Sequence, residues 1–249
     1  MDPDPSGAHH SNPEKTKLGG SGGNFESVAC DDRNPSQPLF FVTEDHVSGA
    51  LRKYTPPPMI PGTAANWDSL HVEGGNTEYL VFLDNNTFIW SCDERLGRLS
   101  QEKHFPNVEG ISFKGGLLYF VSKRTFKLYV LDLDNGTYRT SSTNDYSLYS
   151  GEFKHSPDQL VRNDGDFLYF TEDGGHTAGV YAIDAVGQSY AIFEAYDAKY
   201  FNDETTGLAF SPDGTKMYAC FQDCGCEVSG DVDCGCLLVF WRDDGWSFD

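Results

Sequence analysis

The chain has 249 residues and a formal net charge of −20, from 38 acidic against 18 basic side chains. That balance repels phosphate backbones and anionic lipid, which makes nucleic acid and charged membrane surfaces poor partners and favours cations. No apolar run is long enough to cross a bilayer, and the length suits one all-β domain with a sizeable core.

Residues 1–23 contain His9-His10 and Gly19-Gly20-Ser21-Gly22-Gly23 but no apolar run. Such a stretch cannot offset the entropy of ordering and is expected to be a mobile arm ahead of a domain spanning 24–249. Met1-Asp2-Pro3-Asp4 does not read as a signal peptide. A unit then begins that recurs along the chain: an acid beside an apolar residue, a turn, and a strand ending in further polar or acidic residues. Its first copy runs from Phe25-Glu26-Ser27-Val28 through the strand Leu39 to Val42 and into Thr43-Glu44-Asp45. A proline-rich run, Pro56 to Pro61, and a hairpin follow. The hairpin pairs Glu78–Phe82 with Thr87–Ser91 around Asp84-Asn85-Asn86, and either completes the first blade or begins another.

The second copy runs from Val108-Glu109-Gly110-Ile111 through Leu117–Val121 to Ser122-Lys123, and the turn Asp134-Asn135-Gly136 comes after it. The third runs from Pro157-Asp158-Gln159-Leu160 past Asn163-Asp164-Gly165 to Phe167–Thr171 and Glu172-Asp173. The fourth runs from Glu204-Thr205-Thr206-Gly207-Leu208 past Ser211-Pro212-Asp213-Gly214 to Met217–Phe221 and Gln222-Asp223. These strands are rich in aromatic and β-branched residues and bounded by turn formers, and no window reads as a helix. Self-similarity at a period of about 50 residues marks a β-propeller. Four to five blades are expected, as a whole ring or as an arc of a larger one. The inner strand of each blade lines the central channel, so acids at matching places in successive copies converge on the axis.

The converging set is Glu26, Glu44, Asp45, Glu109, Asp158, Glu172, Asp173 and Glu204. Several carboxylates beside strand-end carbonyls suit calcium, whereas zinc would ask for histidine. His46, His71, His104, His155 and His176 form no i, i+4 helical pair and read as surface or loop residues. The plainer alternative is that acids in such turns only bond nearby amides. Lys123 and Arg124 stand where other copies carry Glu-Asp, which puts positive charge beside the acids or marks a solvated turn. A cation in the cup would neutralise phosphoryl oxygens and acidify a coordinated water.

Seven cysteines include the twin motifs Cys224-Gly225-Cys226 and Cys234-Gly235-Cys236. On facing strands, C-x-C pairs become cross-strand neighbours, so Cys224, Cys226, Cys234 and Cys236 are candidates for disulfides, for a zinc cage, or for free thiols. Cys30, Cys92 and Cys220 are expected at core or blade positions. With the sequons Asn85-Asn86-Thr87 and Asn135-Gly136-Thr137, the cysteines suggest an extracellular or other oxidising compartment.

The motifs Phe25-Glu26-Ser27-Val28-Ala29, Phe41-Val42-Thr43-Glu44-Asp45-His46 with Gly49-Ala50-Leu51-Arg52, Val108-Glu109-Gly110-Ile111, Pro157-Asp158-Gln159-Leu160 and Glu204-Thr205-Thr206-Gly207-Leu208-Ala209-Phe210-Ser211-Pro212-Asp213-Gly214 stand in this order. Together they resemble the later part of PhoX-type alkaline phosphatases and their algal relatives, over residues 24–245 or so. The resemblance implies a propeller with calcium and iron at its axis that hydrolyses phosphomonoesters, usually outside the cytoplasm. It matches Glu26 and Glu109 to acids of the metal cup, with Glu44, Asp45 and Glu204 beside them. Two features depart from the family. Its upstream tryptophan-threonine-cysteine-glutamate-glutamate motif, whose cysteine binds iron, has no counterpart here. Asn107 replaces an arginine that contacts phosphate in bacterial members, which leaves Lys123 and Asn107 as the candidate catalytic residues. The expected function is calcium-dependent hydrolysis of a small phosphomonoester or other anionic small molecule. The alternatives are a non-catalytic propeller that binds calcium or a protein, and a calcium-dependent lactonase or esterase.

Overall fold

The computed structural model describes residues 16–18, 23–58, 67–143, 156–163, 165–173, 179–194, 204–222 and 235–248. Most of the expected N-terminal arm, part of the proline-rich run, His155, His176, Cys224, Cys226 and Cys234 lie outside these residues. Where residues 16–18 are described, the Lys17 amide donates to the Leu70 carbonyl at 2.7 Å and the Lys17 ammonium pairs with Glu73.

Four antiparallel sheets form consecutive blades of a β-propeller. Blade 1 holds β1 (Phe25–Asp31), β2 (Leu39–Glu44), β3 (Arg52–Thr55), β4 (Asn76–Phe82) and β5 (Phe88–Ser91), in that order across the sheet. The hairpin around Asp84-Asn85-Asn86 therefore completes the first blade. The helix α1 (Glu94–His104) follows, and blade 2 holds β6 (Val108–Lys114), β7 (Leu117–Ser122), β8 (Lys127–Asp132) and β9 (Thr137–Ser142). Blade 3 holds β10 (Ser156–Arg162), β11 (Leu168–Asp173), β12 (Gly179–Ile183) and β13 (Ser189–Glu194). Blade 4 holds β14 (Thr205–Phe210), β15 (Lys216–Phe221) and β16 (Cys236–Trp241). The turns are those the residues require. Gly115 and Gly116, both at positive φ, close the β6–β7 hairpin in a two-residue turn, and Gly136 at φ 66° closes β8–β9.

Strand alternation builds the core between blades. Leu118 and Phe120 of β7 face Phe41, Leu80 and Phe105 on the blade 1 side, while Tyr119 and Val121 face Leu160, Phe170 and Tyr181 on the blade 3 side. A third apolar layer, including Tyr169, Met217 and Phe221, joins blades 3 and 4. Along the axis β1 packs on β6, β6 on β10, and β10 on β14.

The helix α1 corrects the expectation that no helix forms. Its N-cap Asp93 accepts from the Arg95 amide at 2.9 Å, and Glu94 and Arg98 pair one turn apart. Its buried positions are Gly97, Ser100 and Gln101, whereas Leu96 and Leu99 are exposed. The inward face is thus small and polar, so the helix carries no apolar period that could announce it. It docks by hydrogen bonds. Phe82 donates its amide to Ser100 Oγ at 2.9 Å, and Gln101 Nε2 donates to the carbonyls of Glu44 and His46, each at 2.9 Å.

Candidate metal centre

The inner strands share one irregularity. β1, β6, β10 and β14 each break register at the same place, between Phe25 and Val28, Val108 and Ile111, Pro157 and Leu160, and Thr205 and Leu208. A bulge re-aims the side chains it contains. The first bulged residue is Glu26, Glu109, Asp158 and Thr206 in blades 1 to 4, so three of the four present a carboxylate at this point. In blades 1 and 3 a buried threonine of the neighbouring strand takes up a bulged amide: Ser27 donates to Thr43 Oγ1 and Gln159 to Thr171 Oγ1, both at 2.9 Å.

The result is a cluster in which ligand oxygens of Glu26, Glu109 and Asp158 all lie within 4.8 Å of one another. Glu109 is 2% exposed and Asp158 3%. Burial pushes both carboxyls up to about 8; neighbouring acids add to this, and Lys123 works against it at Glu109. Burial also raises Glu26 and Glu204, assisted by Asp45 at the first and Asp173 at the second. Asp158 Oδ2 is buried and has no hydrogen-bond partner, a cost that folded chains rarely carry unless something else completes the site.

Around the three acids stands a second set. Lys123 Nζ lies 2.5 Å from Asp173 Oδ2, 3.0 Å from Glu109 Oε1 and 3.7 Å from Asp45 Oδ2. The contact with Glu109 is an ion pair outside hydrogen-bond alignment. Asn107 Nδ2 donates to Asp45 Oδ1 at 2.7 Å, and the Asn107 carbonyl accepts from the Lys123 amide at 3.0 Å. Glu204 bridges to Asp173 through the backbone, and its charge adds to the upward push on the Asp158 carboxyl.

The fold gathers Glu26, Asp45, Asn107, Glu109, Lys123, Asp158, Asp173 and Glu204 into this network. Glu44 and Glu172 are held elsewhere. Glu44 Oε2 accepts from Arg52 Nη2 and from the Ala50 amide, both at 3.0 Å, with Glu44 and Arg52 buried together. Glu172, fully buried, accepts from the Tyr181 hydroxyl at 3.1 Å. The strand pairing also corrects the alignment of the basic pair: Ser122 pairs with Val108 as Glu44 pairs with Phe25 and Glu172 with Pro157. Lys123 therefore matches Asp45 and Asp173, and Arg124 falls beyond them. Two further residues join the site, because Gln159 Nε2 lies 3.5 Å from Glu26 Oε1 and Ser27 Oγ donates to Gln159 Oε1 at 3.1 Å. Both occupy the second position of a bulge, a place only the pairing reveals. The His46 ring stays local, accepting from the Ser48 amide at 3.2 Å. Cys30 and Cys220 lie on blade strands as expected, Cys30 on the outward-alternating face of β1 and Cys220 half-buried on β15, whereas Cys92, exposed in the turn before α1, is in neither a core nor a blade strand.

The clustered donors are all carboxylate oxygens, which fit a hard cation such as calcium, with its need for about 6 to 8 oxygens, better than zinc. Among the described residues no cysteine belongs to the cluster, so a thiolate-held iron finds no ligand there.

No protein-family model matches the chain, and no curated protein matches it by sequence. By structure it is similar to PhoX of Pseudomonas fluorescens, solved in complex with vanadate, a transition-state analogue, at 15% identity and a TM-score of 0.63 over 90% of this chain and 54% of that one. It is less similar to a nidogen/laminin complex, at 12% identity and 0.49 over 81% of this chain and 57% of that one. Virginiamycin B lyase from Staphylococcus aureus follows at 12% and 0.42, over 91% and 72%. The chain spans about half the length of the PhoX chain. At such identities the likeness to PhoX establishes the fold, and the sites rest on this chain's own residues.

Proposed function

We propose that this propeller is a calcium-dependent hydrolase of small phosphomonoesters, with calcium held by Glu26, Glu109 and Asp158. The observation that carries it is the convergence of three carboxylates from three successive blades within 4.8 Å, one of them with a buried oxygen that lacks a partner. The likeness to a phosphatase fold and the motif resemblance support the choice of substrate class. A bound calcium supplies charge neutralisation for phosphoryl oxygens and acidifies water. The chain's own residues do the rest. The bulges aim the three acids, Asn107 fixes Asp45, and Asp45 and Asp173 hold the Lys123 ammonium beside Glu109. Iron is not part of the proposal. We place the protein in an extracellular or other oxidising compartment, supported by the exposed turns that carry Asn85 and Asn135.

Hydrolysis of an aryl phosphate, followed after chelation and again after calcium is restored, tests this. The expected result is turnover that requires calcium and falls about 100-fold or more in Glu109→Gln, because several kcal/mol of charge stabilisation are lost. No turnover under any calcium concentration would end the phosphatase reading. One observation favours a second reading, a calcium-binding module without catalysis: the Asn107 amide is committed to Asp45 and Lys123 to carboxylates, so neither side chain is available to phosphate. Calcium binding without turnover of phosphate or lactone would establish that reading, and turnover of a lactone alone would establish the esterase one.

A further inference from the structure

The rim above the three-acid cluster is built from one residue per blade. Asp45, Lys123, Asp173 and Gln222 each follow directly on the residue paired just before the bulge of the inner strand: Glu44 with Phe25, Ser122 with Val108, Glu172 with Pro157, and Phe221 with Thr205. Two of the four are aspartates, and both close on the lysine. Its ammonium lies 2.5 Å from Asp173 Oδ2, 3.0 Å from Glu109 Oε1 and 3.7 Å from Asp45 Oδ2. Carboxylates from three blades thus surround a single nitrogen.

We propose that Lys123 is a built-in cation filling what would otherwise be a second divalent-cation position made by Asp45, Glu109 and Asp173, so that the cup takes one calcium ion instead of two. This rests on the reading of the Glu26, Glu109 and Asp158 cluster as a calcium site. Two observations support it. An ammonium at these distances takes up the volume a divalent ion would use, since calcium sits about 2.3–2.6 Å from its oxygens. The arrangement is fixed on both sides, because Asn107 donates to Asp45 Oδ1 and its carbonyl accepts from the Lys123 amide. A tethered ammonium cannot dissociate or carry a coordinated water. Lys123 is therefore a specificity-determining residue. It keeps the rim acids gathered without metal and limits the number of ions the cup accepts.

The test is the number of calcium ions bound per chain, read by native mass spectrometry and by isothermal titration calorimetry. The chain itself should bind one ion, and Lys123→Arg should keep that number because the charge remains. Lys123→Met, which keeps the apolar stem, and Lys123→Asp, which restores the residue of blades 1 and 3, should each bind one ion more than the parent. Both should melt lower than the parent in chelator, and calcium should recover more melting temperature in them than in the parent. If neither variant gains an ion, the inference is overturned. Failure of both to fold in saturating calcium overturns it equally, since calcium should replace the missing charge. The underlying site reading fails separately: a parent that binds no ion beside a variant that binds one removes the calcium cluster and leaves the role of Lys123 intact.

Discussion

Glu109 and Asp158 are buried carboxyls that the fold keeps close to a third, and each has its ionisation pushed up to about 8. Their unfolded values lie near 4.5 and 3.8, so between those values and about 8 the native metal-free chain binds more protons than the unfolded one. Stability then falls as pH rises through that window and levels off above it. In chelator, the melting temperature should drop between pH 5 and pH 8, and the drop should shrink in Asp158→Asn. Calcium affinity should move the opposite way, strengthening as pH rises toward 8 because the ligands must shed protons to bind. A titration showing affinity independent of pH over that range would count against these ligands. Glu26, Glu109 and Asp158 were legible as candidates because the repeat sets them at matching places. Their separation from Glu44 and Glu172 was not, since those acids lie at the ends of the second strands of their blades, where Arg52 and Tyr181 of the next strand claim them.

At the level of elements, the bulge positions the site and Gly110 lets two bulges meet. A Cβ on Gly110 would fall 2.3 Å from the Leu160 amide nitrogen and 2.7 Å from the Asp158 carbonyl oxygen, backbone atoms that cannot swing aside. Gly110→Ala should therefore force β6 and β10 apart, costing about 3 kcal/mol by urea unfolding and weakening calcium binding together with stability. Unchanged stability would mean the two strands tolerate separation and do not set the geometry. The strands themselves were readable from alternation and turn residues, and even the hairpin around Asp84-Asn85-Asn86 stood out. Whether it closed the first blade was settled only by β3 pairing with β4. The helix α1 escaped because Gly97, Ser100 and Gln101 face inward, and its contacts are hydrogen bonds to backbone in place of an apolar stripe. Asp93 ahead of Glu94, the spacing of Glu94 and Arg98, and Lys103-His104 in the last turn were its local signals, and caps and charges alone do not announce a helix.

Over the whole molecule, period and turn chemistry specified a propeller, and stacking of successive blades does what the repeat implied: each sheet buries one face on the next. Blade 4 shows three described strands and leaves Leu237, Val239 and Trp241 exposed along β16. The function we propose depends on the stacked blades drawing acids from separate sheets onto one cation. Thermal unfolding across a calcium titration, for the parent, Glu109→Gln and Asp158→Asn side by side, tests this most directly. The parent should gain about 2.7 kcal/mol when calcium reaches a hundred times its dissociation constant, and both variants should stay nearly flat over the same concentrations. A parent whose melting temperature ignores calcium, or variants that respond as it does, would contradict the account.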